Sequence, residues 1–163
     1  MEKKIIIING TGGSGKDTFV SFCQEFVKVL NVSTVDKVKE AAKILVGWNG
    51  EKDETSRKLL SDLKKISVEY NEAPTKYIKS MADKFHLSDK QLMFVHIREV
   101  EEIEKAKKLL NAKTLLITNP RIQIITSNDS DGKINEYNYD FYVLNDGTLE
   151  DLKLKAEQFI KEL

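Results

Sequence analysis

The sequence predicts a three-layer α/β fold: a five-stranded parallel sheet with helices on both faces and a helical insertion. Three observations carry that expectation. Strand and helix signals alternate along the chain, which implies parallel pairing through helical crossovers. A glycine-rich loop lies between a short aliphatic run and a helical pattern. The composition is that of a globular chain, with 163 residues, 40% apolar and 32% charged side chains, and 26 basic against 26 acidic groups.

The same arithmetic excludes several classes. A disordered chain would be poor in apolar residues and carry a large net charge. One cysteine, Cys23, rules out a disulfide framework and a cysteine-built zinc site. The formal net charge of zero gives no general attraction to a nucleic acid polymer or an anionic membrane. The longest aliphatic run, Ile5 to Ile8, is far below the roughly 20 residues of a spanning helix. It gives way to Asn9-Gly10-Thr11, which is no signal-peptide cleavage site. A cytoplasmic protein with one domain over 1–163 is expected, with the insertion at about 36–90 and a short lid-like connection at about 119–138.

The elements follow in order. Lys4 to Ile8 is a short β-branched run that reads as a strand buried on both faces. Lys16 to Leu30 reads as a helix, with Phe19, Phe22, Cys23, Phe26, Val27 and Leu30 at helical spacing. Val32 to Val35 is a second strand, after which Asp36 caps a helix through Val46, stopped by Gly47. Thr55 to Tyr70 places Leu59, Leu60, Leu63, Ile66 and Tyr70 on one face, and Pro74 opens a helix reaching about Phe85. A second rhythm runs through a strand at Gln91 to Ile97, a helix at Glu99 to Leu110 and a strand at Thr114 to Thr118. Arg121 to Asn138 is irregular, with a polar turn at 127–132. Tyr139 to Leu144 is the last strand, and Leu149 to Leu163, capped by Thr148, the last helix.

Gly10-Thr11-Gly12-Gly13-Ser14-Gly15-Lys16-Asp17-Thr18 has the G-x-x-x-x-G-K spacing of a phosphate loop, in the required strand–loop–helix context. Glycines let backbone N–H groups turn toward one concave point and approach an anion without Cβ clashes. The helix N-terminus adds unpaired N–H groups and the positive dipole end. Lys16 supplies a mobile charge for the β- and γ-phosphates. The fold class is therefore a P-loop NTPase fold, with ATP as the expected ligand. A Ser or Thr usually follows the lysine and binds magnesium, but here Asp17 follows and then Thr18. A carboxylate beside a triphosphate is repulsive unless a cation lies between them. Asp17 either helps hold Mg²⁺ or points away as a helix-start carboxylate. Thr18 can place a hydroxyl near the α-phosphate.

Ser14-Gly15-Lys16-Asp17-Thr18 resembles the loop of the deoxynucleoside monophosphate kinases of phages and the related phosphomevalonate kinases, both within the adenylate kinase-like group of phosphate-loop phosphotransferases. Val35 to Ala42 resembles the family's segment after the second strand, which carries an Asp and a Lys, here Asp36 and Lys39. Gly47 through Leu63 resembles its G…R-x-L-L stretch, with Arg57 in the arginine position. Val95-His96-Ile97-Arg98-Glu99, with Glu102, resembles its D-x-R…E segment, and Asp140 to Leu149 the end of its last strand. The resemblance departs at two places. His96 stands where an Asp is expected, and the connection from Arg121 to Asn138 offers only Arg121 and Lys133 as cations.

The resemblance implies an enzyme: an ATP- and Mg²⁺-dependent phosphotransferase whose acceptor is small and phosphorylated, first a nucleoside or deoxynucleoside monophosphate. Phosphomevalonate and a non-catalytic nucleotide-binding regulator are the alternatives. Lys16, Arg57, Arg98 and Arg121 are the expected catalytic cations; Asp36, Lys39, Arg57 and Arg98 the acceptor site; Asp17 the metal ligand. Three arginines among 26 basic residues make each worth weighing, because Arg forms bidentate pairs with phosphate. The competing roles are plain. Arg57 can pair with Asp53 or Asp62, Asp36 can be a helix cap, and Trp48 and Tyr77 can pack rather than stack on a base.

Overall fold

The aliphatic run that opens the chain becomes the centre of the sheet. In the computed structural model, which describes residues 1–122 and 133–163, β1 spans Lys4–Asn9. Ile6, Ile7 and Ile8 have no exposure at all. Successive side chains alternate faces, so Ile5 and Ile7 join one core and Ile6 and Ile8 the other. A strand covered on both sides has no polar face to offer, hence its unbroken run of isoleucines.

The remaining elements among the described residues are α1 (Lys16–Gln24), β2 (Val29–Ser33), α2 (Asp36–Val46), α3 (Glu54–Asn71), α4 (Ala73–Leu87) and β3 (Leu92–His96). They are followed by α5 (Val100–Leu110), β4 (Lys113–Thr118), a 3₁₀ turn at Ile134–Glu136, β5 (Phe141–Leu144) and α6 (Leu149–Glu162). The five strands lie in the order β2-β3-β1-β4-β5 and all pairings are parallel. Phe19, Val20 and Cys23 of α1 and Leu152, Ala156 and Phe159 of α6 fill one face. Ile78, Ala82 and Phe85 of α4 and Ile103, Ala106 and Leu110 of α5 fill the other. The three-layer α/β architecture is the expected one. Because every strand is parallel, all five carboxyl ends open on one edge, where ligands bind in such sheets.

Three local expectations are corrected. The first helix ends at Gln24, not Leu30, and Leu30 lies in β2. Val27 and Leu30 fit a helical period by coincidence, but Val29 pairs with Leu92, and Gln91 and Leu92 both donate to the Lys28 carbonyl. Long-range pairing to β3 overrides local spacing there, and it moves the second strand from 32–35 to Val29–Ser33. Asp36 is the first residue of α2, not its cap, and its side chain reaches back to accept from Ser33 N at 2.8 Å. Ile66 and Tyr70 are 62% and 84% exposed. The inner face of α3 runs through Ser56 and Lys64, and Ile66 lies about 200° around the helix from Lys64. A buried lysine is invisible to an apolar-spacing rule. The turn expected at 127–132 lies outside the described residues. Among the described residues no helix is long and apolar enough to cross a membrane.

Candidate functional site

The loop after β1 is built by backbone geometry. Gly15 caps α1 with φ 101°, and a Cβ there would lie 2.5 Å from Asn145 Nδ2. At Gly10 a Cβ would lie 2.5 Å from the Ile117 carbonyl and 2.6 Å from Ser14 Oγ. Both positions demand glycine, the first for conformation and space, the second for space. Ser14 N donates to Thr11 O at 3.1 Å, closing the turn. Lys16 curls over it: Nζ donates to the Gly10 carbonyl and to Thr11 O at 3.2 Å. Ser14 is fully buried, and its hydroxyl has no hydrogen-bond partner among the described residues. Such an orphan costs about 1–3 kcal/mol. Gly12 and Gly13 are exposed, Thr11 and Thr18 half-buried. Asp17 is exposed on the first turn of α1, and among the described residues its carboxylate has no hydrogen bond or ion pair.

Two asparagines that sequence reasoning left out of the site hold this loop. Asn9 is fully buried at the end of β1; its Oδ1 accepts from Gly10 N at 2.8 Å. Its Nδ2 donates to the Arg98 carbonyl at 3.2 Å and to Tyr139 Oη at 3.0 Å. Tyr139 Oη in turn donates to Ile134 O at 3.1 Å. Asn145, just after β5, donates from Nδ2 to Ser14 O at 3.0 Å and from its backbone to Thr118 O at 2.7 Å. The signal for Asn9 was available: a lone amide closing a run of buried isoleucines must find partners. Arg121 is exposed beside this segment; its Nε donates to Asn119 Oδ1 at 3.2 Å and its NH2 to Asn145 O at 3.5 Å.

The other half of the edge is made by side chains. Asp36 Oδ2 accepts from Ser33 N and, at 3.1 Å, from Tyr77 Oη, so Tyr77 anchors α2 to α4. Burial and the Asp36 carboxylate push the Tyr77 phenol up to about 12. Trp48 Nε1 donates to Glu51 O at 3.0 Å, closing the turn between α2 and α3. Lys39 is exposed on α2. Asp62 pairs with Lys58 at 2.5 Å and Asp53 caps α3 by accepting from Ser56 N at 2.7 Å, so neither takes Arg57. Arg57 and Arg98 are both exposed, and neither side chain has a partner among the described residues.

His96 closes β3 between the two halves. Its Nε2 lies 2.8 Å from Asn31 Oδ1, and burial pushes its pKa down to about 4, so the ring is neutral at physiological pH. In that neutral ring Nε2–H donates to Asn31. Asp17 and Asp36 pull the value up, Lys16 and Lys39 push it down. The four charges come from the phosphate-loop side and from α2, so the fields of both reach His96. Arg57 is not among them. No group of three or more metal-ligating side chains occurs among the described residues.

No protein-family model matches this sequence, and no curated protein matches it. Solved structures do match over nearly the whole chain. A tunicamycin resistance protein from Deinococcus radiodurans is 13% identical with a TM-score of 0.58, covering 99% of this chain and 95% of its own. A sugar kinase from Janibacter is 12% identical with a TM-score of 0.55, covering 98% and 95%. A dephospho-CoA kinase from Campylobacter jejuni is 20% identical with a TM-score of 0.54, covering 98% and 97%. The chain shares the three-layer α/β fold of these proteins.

Proposed function

We propose that this protein transfers the γ-phosphoryl group of ATP·Mg²⁺ to a small phosphorylated acceptor, a nucleoside or deoxynucleoside monophosphate first of all. The observation that carries the reading is the loop itself. Gly10 to Gly15 wraps a concave point with an unpartnered buried hydroxyl at Ser14, and Lys16 lies across its carbonyls. A phosphate there would accept from the loop amides and the Ser14 hydroxyl while Lys16 swings from the carbonyls to the anion.

Phosphoryl transfer asks for alignment and charge neutralisation more than covalent chemistry. Lys16 would hold the donor. Arg98 and Arg57, exposed and without a partner among the described residues, would hold the acceptor or the transferring group. Among the described residues Asp36 accepts through Oδ2, from Ser33 N and Tyr77 Oη, which leaves Oδ1 for an acceptor. Arg121 would stand beside the donor from the β4 end. The oxygen donors at the start of α1, the exposed Asp17 carboxylate and the Thr18 hydroxyl, suit Mg²⁺, which takes few protein ligands and keeps waters and phosphates. Bound there with ATP, the ion would supply charge neutralisation at the phosphates.

A coupled ADP-release assay tests the reading: nucleoside and deoxynucleoside monophosphates and phosphomevalonate as acceptors, ATP alone as control. Acceptor-dependent ADP release supports transfer. ATP binding with no acceptor-dependent release across the panel supports the second reading, a nucleotide-binding regulator. That second reading is favoured by one observation, the neutral His96 where the resemblance places an acid.

A further inference from the structure

We propose that Lys64 is a positioning residue that sets the spacing between Arg57 and Arg98. It does so by clamping α3 to the segment that carries Arg98. The proposal rests on the reading of those two arginines as the acceptor's contacts.

Lys64 sits mid-way along α3 with only 8% of its side chain exposed. Its Nζ donates to Glu99 Oε2 at 2.6 Å and to Glu102 Oε2 at 2.9 Å. Both carboxylates belong to the first turn of α5, where Glu99 is the N-cap. Lys64 holds the Glu99 carboxyl below its usual range, while burial and the neighbouring carboxylate hold Glu102 above it. Taking a lysine out of water is costly, and a well-packed apolar side chain gives as much stability at such a place. What an apolar side chain does not give is a fixed register between two elements.

The register matters because of what flanks it. Glu99 follows Arg98 directly, so its position dictates that of the Arg98 backbone. On the opposite side the Arg98 carbonyl is held by Asn9 Nδ2, whose Oδ1 takes the first amide of the phosphate loop. The Arg98 peptide is therefore gripped from the phosphate loop and from α3, while its guanidinium is exposed. Arg57 lies seven positions before Lys64, which puts it on the same face of α3, about 10 Å nearer the helix start. An acceptor phosphate that needs both guanidinium groups is thus sensitive to one buried ammonium that touches neither.

The test compares wild type, Lys64→Gln, Lys64→Arg, Arg98→Ala and the Lys64→Gln/Arg98→Ala double variant. Amide hydrogen exchange on the nucleotide-free chain comes first, because it is independent of the proposed activity. Lys64→Gln should speed exchange in residues 98–103 and 57–67 and leave 10–16 unchanged; uniform acceleration, or none, overturns the clamp. With the monophosphate that the ADP-release panel selects, Lys64→Gln should raise the acceptor KM by about tenfold and change ATP affinity less than about twofold. Lys64→Arg should restore it. In the Arg98→Ala background Lys64→Gln should add little, since it acts through that arginine. Effects that multiply in the double variant, or an equal loss of ATP affinity, mean a merely structural lysine. If Lys64→Gln does not fold, Glu99→Gln takes its place in every comparison. A panel with no acceptor defeats the proposed function alone, and the exchange pattern still decides the clamp.

Discussion

The two halves of the ligand edge are made differently. On the phosphate-loop half the chain backbone is the candidate site: Gly10 and Gly15 leave no room for a Cβ, and Asn9 and Asn145 brace the loop from buried or half-buried positions. On the other half the candidate site is side chains, Lys39 on α2, Arg57 on α3 and Arg98 on the segment between β3 and α5. Arg57, Arg98 and Lys39 are exposed, and α2 also leaves Ile44, Leu45 and Val46 more than half exposed. A backbone site is rigid and indifferent to what lies beyond the phosphates. A side-chain site can be retuned residue by residue, and so under the proposed function it is the half that would decide the acceptor.

The sharpest way to break this comparison is at Lys16. Lys16→Ala should weaken ATP binding by roughly 2–3 kcal/mol, since hydrogen bonds to charged groups are worth that much. The melting temperature should stay close to wild type, because the loop's backbone is braced by the two asparagines. Calorimetry giving equal ATP affinity for both proteins removes the phosphate-loop assignment. The next effect belongs to the other half. Arg98→Ala and Arg57→Ala should each cost roughly 1.5–3 kcal/mol in acceptor recognition and leave ATP affinity alone. An unchanged Michaelis constant and turnover for Arg57→Ala makes that residue part of the solvated surface.

His96, between the halves, makes stability depend on pH. Its folded pKa of about 4 lies below the ordinary 6.5, so the unfolded chain takes up a proton that the native state refuses. Stability should therefore fall as pH drops from 6.5 toward 4, and the His96→Gln variant should melt with a flatter profile over that window. Parallel slopes for the two proteins would falsify the assignment of that dependence to His96. The smallest effect sharpens the metal question. If Asp17 holds the cation, Asp17→Asn should weaken Mg²⁺-dependent ATP binding and spare, or improve, metal-free binding. Calorimetry with and without magnesium distinguishes this from a helix-start role, in which both change alike or neither does.

The sheet, its parallel sense and the glycine-rich loop between β1 and α1 were legible in the residues alone. Each is written in local order: an isoleucine run, glycines at fixed spacing, a lysine at a helix start. The last helix was equally plain, since Thr148 and Asp151 form a reciprocal cap within four residues. Where the first helix stops was not legible, because β2 is fixed by pairing with β3 some sixty residues later. Nor was the inner face of α3, whose central residue is a lysine satisfied only by carboxylates on α5. The acceptor half had named candidates in Asp36, Lys39, Arg57 and Arg98, but no sequence spacing shows which arginines are left unpaired or which asparagine grips the Arg98 backbone. Sequence determines what the backbone must do over a few residues. Partnerships between side chains distant in the chain exist only once packing has brought them together, and desolvation then decides which charges must pair and which stay in water.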